Sequence, residues 1–166
     1  SLMPTITIDS SGWKRLSNKL RDYFHSGIHP ILENASLKIS NKYKAQIRAG
    51  KTGADNFMMD VSEATMKSPI RAGSDKAIRG EVRSSRSPLY ARGRAIESIK
   101  SIKTAKGFEI GPTTSHGQMI FGVNEKARVT KKGNRIPARN PFVVSDVQLD
   151  IIEKSVLESI DRIIKG

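Results

Sequence analysis

The chain has 166 residues, of which 37% are apolar, 27% charged and only 5% aromatic, a balance that suits one folded domain with an aliphatic core and excludes a wholly disordered polymer. Lysine and arginine number 29 against 16 aspartates and glutamates, giving a net charge of +13, so an anionic partner is the first thing to look for: nucleic acid, an acidic protein surface or an anionic membrane. The absence of cysteine excludes disulfides, zinc–thiolate sites and cysteine nucleophiles.

No apolar run approaches the roughly 18 residues that span a bilayer, and the first residues lack the basic and apolar regions of a signal peptide, so no membrane partner is expected. The chain is read as a single domain over 1–166, with a flexible loop near 71–87 and a basic loop near 126–135.

Thr5 to Asp9 alternates β-branched residues with a period of two and predicts a short strand. Ser10 or Ser11 can then cap a helix in which Trp13, Leu16, Leu20 and Phe24 share a face, with Gly27 as its stop. His29-Pro30 restarts the chain, and Leu32, Ala35, Ile39, Tyr43 and Ile47 predict a second amphipathic helix ending before Gly50. A third, weaker helix is expected from about Asn56 to Lys67, capped by Asp55 and stopped by Pro69, with Met58 and Val61 on its inner face. Arg71 to Ser87 carries glycines, serines and mixed charge without apolar periodicity, the pattern of a long loop.

Pro88-Leu89 opens a compact unit: a short helix around Ala91 to Glu97, then a hairpin with strands at Ser98 to Thr104 and Phe108 to Gly111 around a Lys106-Gly107 turn. Gln118 to Val123 is predicted as a further strand with Met119 and Phe121 on one face. Lys126 to Arg139 follows as a basic loop with its tip at Lys132-Gly133-Asn134.

Ile136 to Phe142 reads I-P-A-R-N-P-F, and here Pro137 and Pro141 fix their own φ and push Ile136 and Asn140 toward extended conformations. The stretch is expected to be a stiff arm, with Ile136 and Phe142 anchored on the protein's own core and Arg139 facing a partner. Ser145 and Gln148 form an S-x-x-Q capping box, and Val144 and Leu149 occupy hydrophobic-staple positions. Leu149, Ile152, Val156, Ile160 and Ile163 then mark the apolar stripe of a terminal helix about 30 Å long.

Chemistry-bearing patterns are sparse. Gly27 and Pro30 break the helix that would pair His25 with His29, and Asp146 and Asp150 are explained by the positive end of the terminal helix dipole. There is no phosphate-binding loop, nucleophile elbow, H-E-x-x-H helix or dinucleotide fingerprint, so no catalytic residue, metal or cofactor is expected and the chain does not read as an enzyme.

The charge, by contrast, is localised. From Arg71 to Arg94, seven cations face only Asp75 and Glu81; from Lys126 to Arg139, six cations face no acid. The candidate interface residues are therefore Arg71, Arg79, Arg83, Arg86 and Arg92 in the first region and Lys126, Arg128, Lys131, Lys132, Arg135 and Arg139 in the second. Tyr90 is the one aromatic residue in these two regions, which gives little support to base stacking and favours an acidic subunit surface by comparison.

Three motifs punctuate this half of the chain. Pro88, Leu89, Gly93, Ser98 and Ile99 give a P-L lead-in, a glycine turn and an S-I step; Ile110-Gly111 closes a strand; Ile136, Pro137, Ala138 and Arg139, with Pro141 and Phe142, form an arm before the terminal helix. In this order, over roughly Ser87 to Ile164, they resemble the phage virion-morphogenesis or tail-completion family, the head-tail joining neck proteins that include the phage Mu type. Arg92 stands where that pattern usually has threonine, Ala95 where it often has leucine, and Asn140 is inserted between Arg139 and Pro141.

The resemblance implies an α+β fold, an antiparallel sheet flanked by N-terminal and C-terminal amphipathic helices with long basic loops. It implies a structural virion protein that forms a homo-oligomeric ring, most simply a hexamer, at the neck or tail end. Neighbouring neck, portal or tail proteins and DNA in the channel would be its partners, and the host cytoplasm its location during assembly. The alternative reading is a basic nucleic-acid-binding module, which the net charge of +13 supports by itself.

Overall fold

The computed structural model describes residues 4–9, 29–62, 66–67, 87–89 and 93–165. In chain order the elements are β1 (Ile6–Asp9), α1 (His29–Arg48), α2 (Arg94–Glu97), β2 (Ile99–Lys103), β3 (Gly107–Pro112), α3 (Ser115–Asn124), β4 (Arg128–Val129), β5 (Arg135–Ile136) and α4 (Asp146–Lys165). The helix expected around Trp13 to Phe24 and the expected loop from Arg71 to Arg86 lie outside the described residues.

The protein is α+β. Its main sheet has the order β1-β3-β2 and is antiparallel throughout, with Ile6 opposite Ile110 on one side of β3 and Ser101 opposite Ile110 on the other. The predicted β2–β3 hairpin is present, and β3 is its most buried strand, with Phe108 and Ile110 in the core. A central strand buried over most of its length needs a cover, and α1 supplies it, packing on β2, β3 and α4.

The stripe that predicts α1 is the stripe that is buried: Leu32, Ala35, Ile39, Tyr43 and Ile47 are all fully inaccessible to solvent. Each of the large ones contributes about 1.5–3 kcal/mol of transfer free energy before entropy is subtracted. Beyond the helix, Ser87 Oγ donates to the Ile47 carbonyl at 2.7 Å, which satisfies one of the orphan acceptors at the α1 C-terminus and brings buried Pro88 and Leu89 onto the core.

Two expected elements are corrected. Gln118–Val123 is not a strand; it lies inside the helix α3, capped by Thr114, whose hydroxyl accepts from Gly117 N–H. Helical spacing separates Met119 from Phe121, so Phe121 is fully buried while Met119 is half exposed. Asn56 to Ser62 is not helical either; Met66 and Lys67 are in helical geometry, and residues 63–65 lie outside the described residues. Asp55 cannot serve as the expected N-cap, because it sits at φ 60° in a turn and its carboxylate accepts from Gln46 Nε2 at 2.9 Å. Met58 and Val61 are still buried, reached by an irregular segment that begins with a Lys51–Phe57 bridge.

The capping box of α4 forms as the sequence predicts. Ser145 N–H donates to Gln148 Oε1 at 2.7 Å, and Val147 N–H donates to Ser145 Oγ at 3.2 Å. Along the helix Val156 is buried and Ile152 and Ile160 are half-buried against the core, but Leu149 and its staple partner Val144 are exposed.

Candidate interaction site

The proline arm is seated by the core behind it. Pro141 is fully buried, and the Phe142 ring lies 5.5 Å from Tyr43 and, edge-on, 5.2 Å from Phe121. Tyr43 Oη donates to the Val143 carbonyl at 2.8 Å, and burial pushes its hydroxyl far above the ordinary tyrosine range, so it stays a neutral donor.

Gly53 ties the arm to the start of α4. Its carbonyl accepts from Gln148 Nε2 at 2.7 Å, Ser145 Oγ at 2.9 Å and Gln46 Nε2 at 3.2 Å, and its N–H donates to the Pro141 carbonyl at 2.8 Å. A Cβ at this position would meet the Val143 carbonyl oxygen at 2.2 Å and Tyr43 Cε1 at 2.6 Å, so only glycine fits. Nothing in the sequence marks Gly53 as belonging to this junction; its partners Pro141, Ser145 and Gln148 lie far along the chain.

Arg139, expected to face a partner, is half-buried and bonds an exposed segment of its own chain. Its Nε and Nη2 donate to the carbonyls of Met59 (3.0 Å) and Asp60 (3.2 Å), fastening the irregular segment after Asp55 to the arm. Ile136, expected to anchor the arm, sits in β5 and is half-buried.

The main sheet leaves two different outer strands. Among the described residues β1 and β2 each have one ladder partner, β3. On the β2 side Ile102 is 51% exposed. On the β1 side, Val144 at 58% and Leu149 at 54% stand beside Ile6, Ile8 and Ile152 along an apolar groove of about 350 Å³.

The second candidate feature is the β4–β5 hairpin within the predicted basic loop. Arg128 pairs with Ile136 and Val129 with Arg135, and the chain reverses through Lys131 to Asn134 with Gly133 at φ 82°, a conformation that favours glycine. Lys126, Arg128, Lys131, Lys132 and Arg135 are all exposed. Arg128 differs from the rest in donating from Nη1 to the Val123 carbonyl near the C-terminus of α3, where a cation suits the helix dipole.

A wider cavity of about 450 Å³ lies between α2 and the start of α3, lined by Arg94, Lys100 and His116 together with Glu97. Glu97 also receives Arg48 and Lys44 from α1, so the cations there are answered by an acid. Gly93 at φ 84° caps α2, whereas Arg71, Arg79, Arg83, Arg86 and Arg92 lie outside the described residues. Among the described residues no group of three His, Cys, Asp or Glu side chains could hold a metal ion, and no helix is long and apolar enough to cross a membrane.

Comparison with protein-family models, curated proteins and solved structures returned no match.

Proposed function

We infer that this chain is a structural virion protein of a tailed phage or prophage, which completes the tail or joins head to tail by assembling as a homo-oligomeric ring at the neck. The observation that carries this reading is the pair of unlike outer strands, each with exposed aliphatic side chains: Ile102 on β2, Val144 and Leu149 beside β1. Two different edges that can meet head to tail make a heterologous interface, which closes into a ring when the rotation permits, and a strand with one ladder partner among the described residues is a ready template for a neighbour's.

The motif order from Pro88 to Phe142 supports the reading, because Leu89, Ile99, Ile110 and Phe142 converge on one core and the arm holds the start of α4 beside β1. A hexamer is the copy number the resemblance suggests, neck, portal or tail proteins are the partners, and the virion is the location after assembly in the host cytoplasm. No catalytic role is assigned.

Mixing tests the polarity of the interface. Leu149→Asp and Ile102→Asp each spoil one edge at an exposed position, so each variant alone should run as a folded monomer. Mixed, they should form dimers through the one intact pair of edges and should not form rings. Variants that assemble as the unmodified chain does would overturn the assignment of these edges.

A further inference from the structure

We propose that the β4–β5 hairpin is a non-specific duplex-DNA contact, in which Lys131, Lys132 and Arg135 reach phosphates while Arg128 braces the hairpin on α3. The pairing register divides the hairpin's two faces. Arg128 shares a face with half-buried Ile136 and bonds back to the Val123 carbonyl, so that face is turned to the body of the protein. Val129 and Arg135 share the opposite, exposed face, and Lys131 and Lys132 extend beyond both at the turn.

The charge has one sign over a long stretch. No acid occurs between Glu125 and Asp146, and none of Lys131, Lys132 and Arg135 takes part in an ion pair among the described residues. A protein interface of comparable reach would be built around an aromatic or aliphatic anchor with lysine depleted. This hairpin instead offers only Val129 as an exposed apolar side chain and concentrates its lysines at the tip.

Phosphates, unlike bases, require neither an aromatic platform nor a fixed donor pattern. Two strands about 4.8 Å apart also fit within a major groove about 12 Å wide, with phosphates on both walls. The contact is therefore electrostatic, indifferent to sequence and steeply dependent on salt. It deepens the ring reading by supplying a contact for DNA in the channel, yet it is a property of one hairpin and can be measured on unassembled chains.

Fluorescence anisotropy with a labelled 20-base-pair duplex, on the Ile102→Asp background to exclude assembly, provides the test. Three phosphate contacts contribute about −2.7 to the slope of log affinity against log salt, so the Lys131→Ala/Lys132→Ala/Arg135→Ala variant should show a slope shallower by about that amount. At 200 mM salt relative to 50 mM, those three contacts should lose about forty-fold in affinity. Arg128→Ala should leave the slope within about one unit of the parent and lower thermal stability instead.

Circular dichroism would show the triple variant folded, since all three side chains are exposed. An unchanged slope in the folded triple variant would overturn the proposal. So would tighter binding of polyglutamate than of the duplex at equal charge, which would assign the hairpin to an acidic protein surface. A monomeric unmodified chain that still binds the duplex would remove the ring reading and leave this one standing.

Discussion

Gly53 is the residue on which the arm depends most. Its carbonyl holds three side chains and its missing Cβ leaves room for the Val143 carbonyl, so Gly53→Ala forces backbone against backbone. The expected cost is about 2–3 kcal/mol, a fall in Tm of roughly 5–10 °C for a domain of this size, read by thermal denaturation. A variant as stable as the parent would mean that the arm is not held this closely.

Tyr43 gives a pH signature at the same scale. Because burial disfavours its phenolate, the folded chain keeps the proton to higher pH than the unfolded chain does. Its contribution to stability is therefore complete below the unfolded value of about 10 and is lost as pH rises above it. Tyr43→Phe should cost about 1 kcal/mol near neutral pH, through the lost bond to Val143, and should lessen the decline above pH 10 in denaturant titrations. An unchanged alkaline decline would assign it to other groups.

Among the elements, those whose periodicity coincided with burial were legible. The α1 stripe, the β2–β3 hairpin and the α4 capping box were all written locally, in side-chain spacing and turn chemistry that tertiary packing reinforced. The misread segments had patterns that two structures could share. Met119 and Phe121 fit one face of a strand, but a threonine cap before them and a core needing only Phe121 made the segment helical. Met58 and Val61 suited a helix face, yet Gln46 reached across and took the carboxylate meant to cap it.

The interaction surfaces were legible in part. Charge counting located the cations from Lys126 to Arg135, but the bonds of Arg139 to the Met59 and Asp60 carbonyls and the exposure of Leu149 are tertiary facts. They yield a contrast within one helix: Gln148→Ala should cost about 1–3 kcal/mol, since it removes partners from both Ser145 and Gly53, whereas Leu149→Ala should stay within about 0.5 kcal/mol. Urea midpoints measured side by side would show it. Equal losses would place Leu149 in the core, where it could not serve a neighbour.

On the scale of the whole molecule, the layout separates stability from contact. Helix α1, the sheet and the arm concentrate the aliphatic and aromatic core, while among the described residues the outer strands and the cationic hairpin carry the exposed aliphatic and basic side chains. Each subunit's hairpin would be repeated around a ring, so weak phosphate contacts would add through effective concentration without any one of them being strong.

The most direct test of assembly is the mass of the protein in solution, by size-exclusion chromatography with light scattering over a range of protein and salt concentrations, with negative-stain images of the eluted peak. A ring predicts a closed multiple of 18.3 kDa and annular particles. A monomer of 18.3 kDa under every condition, with and without neck partners, would contradict it.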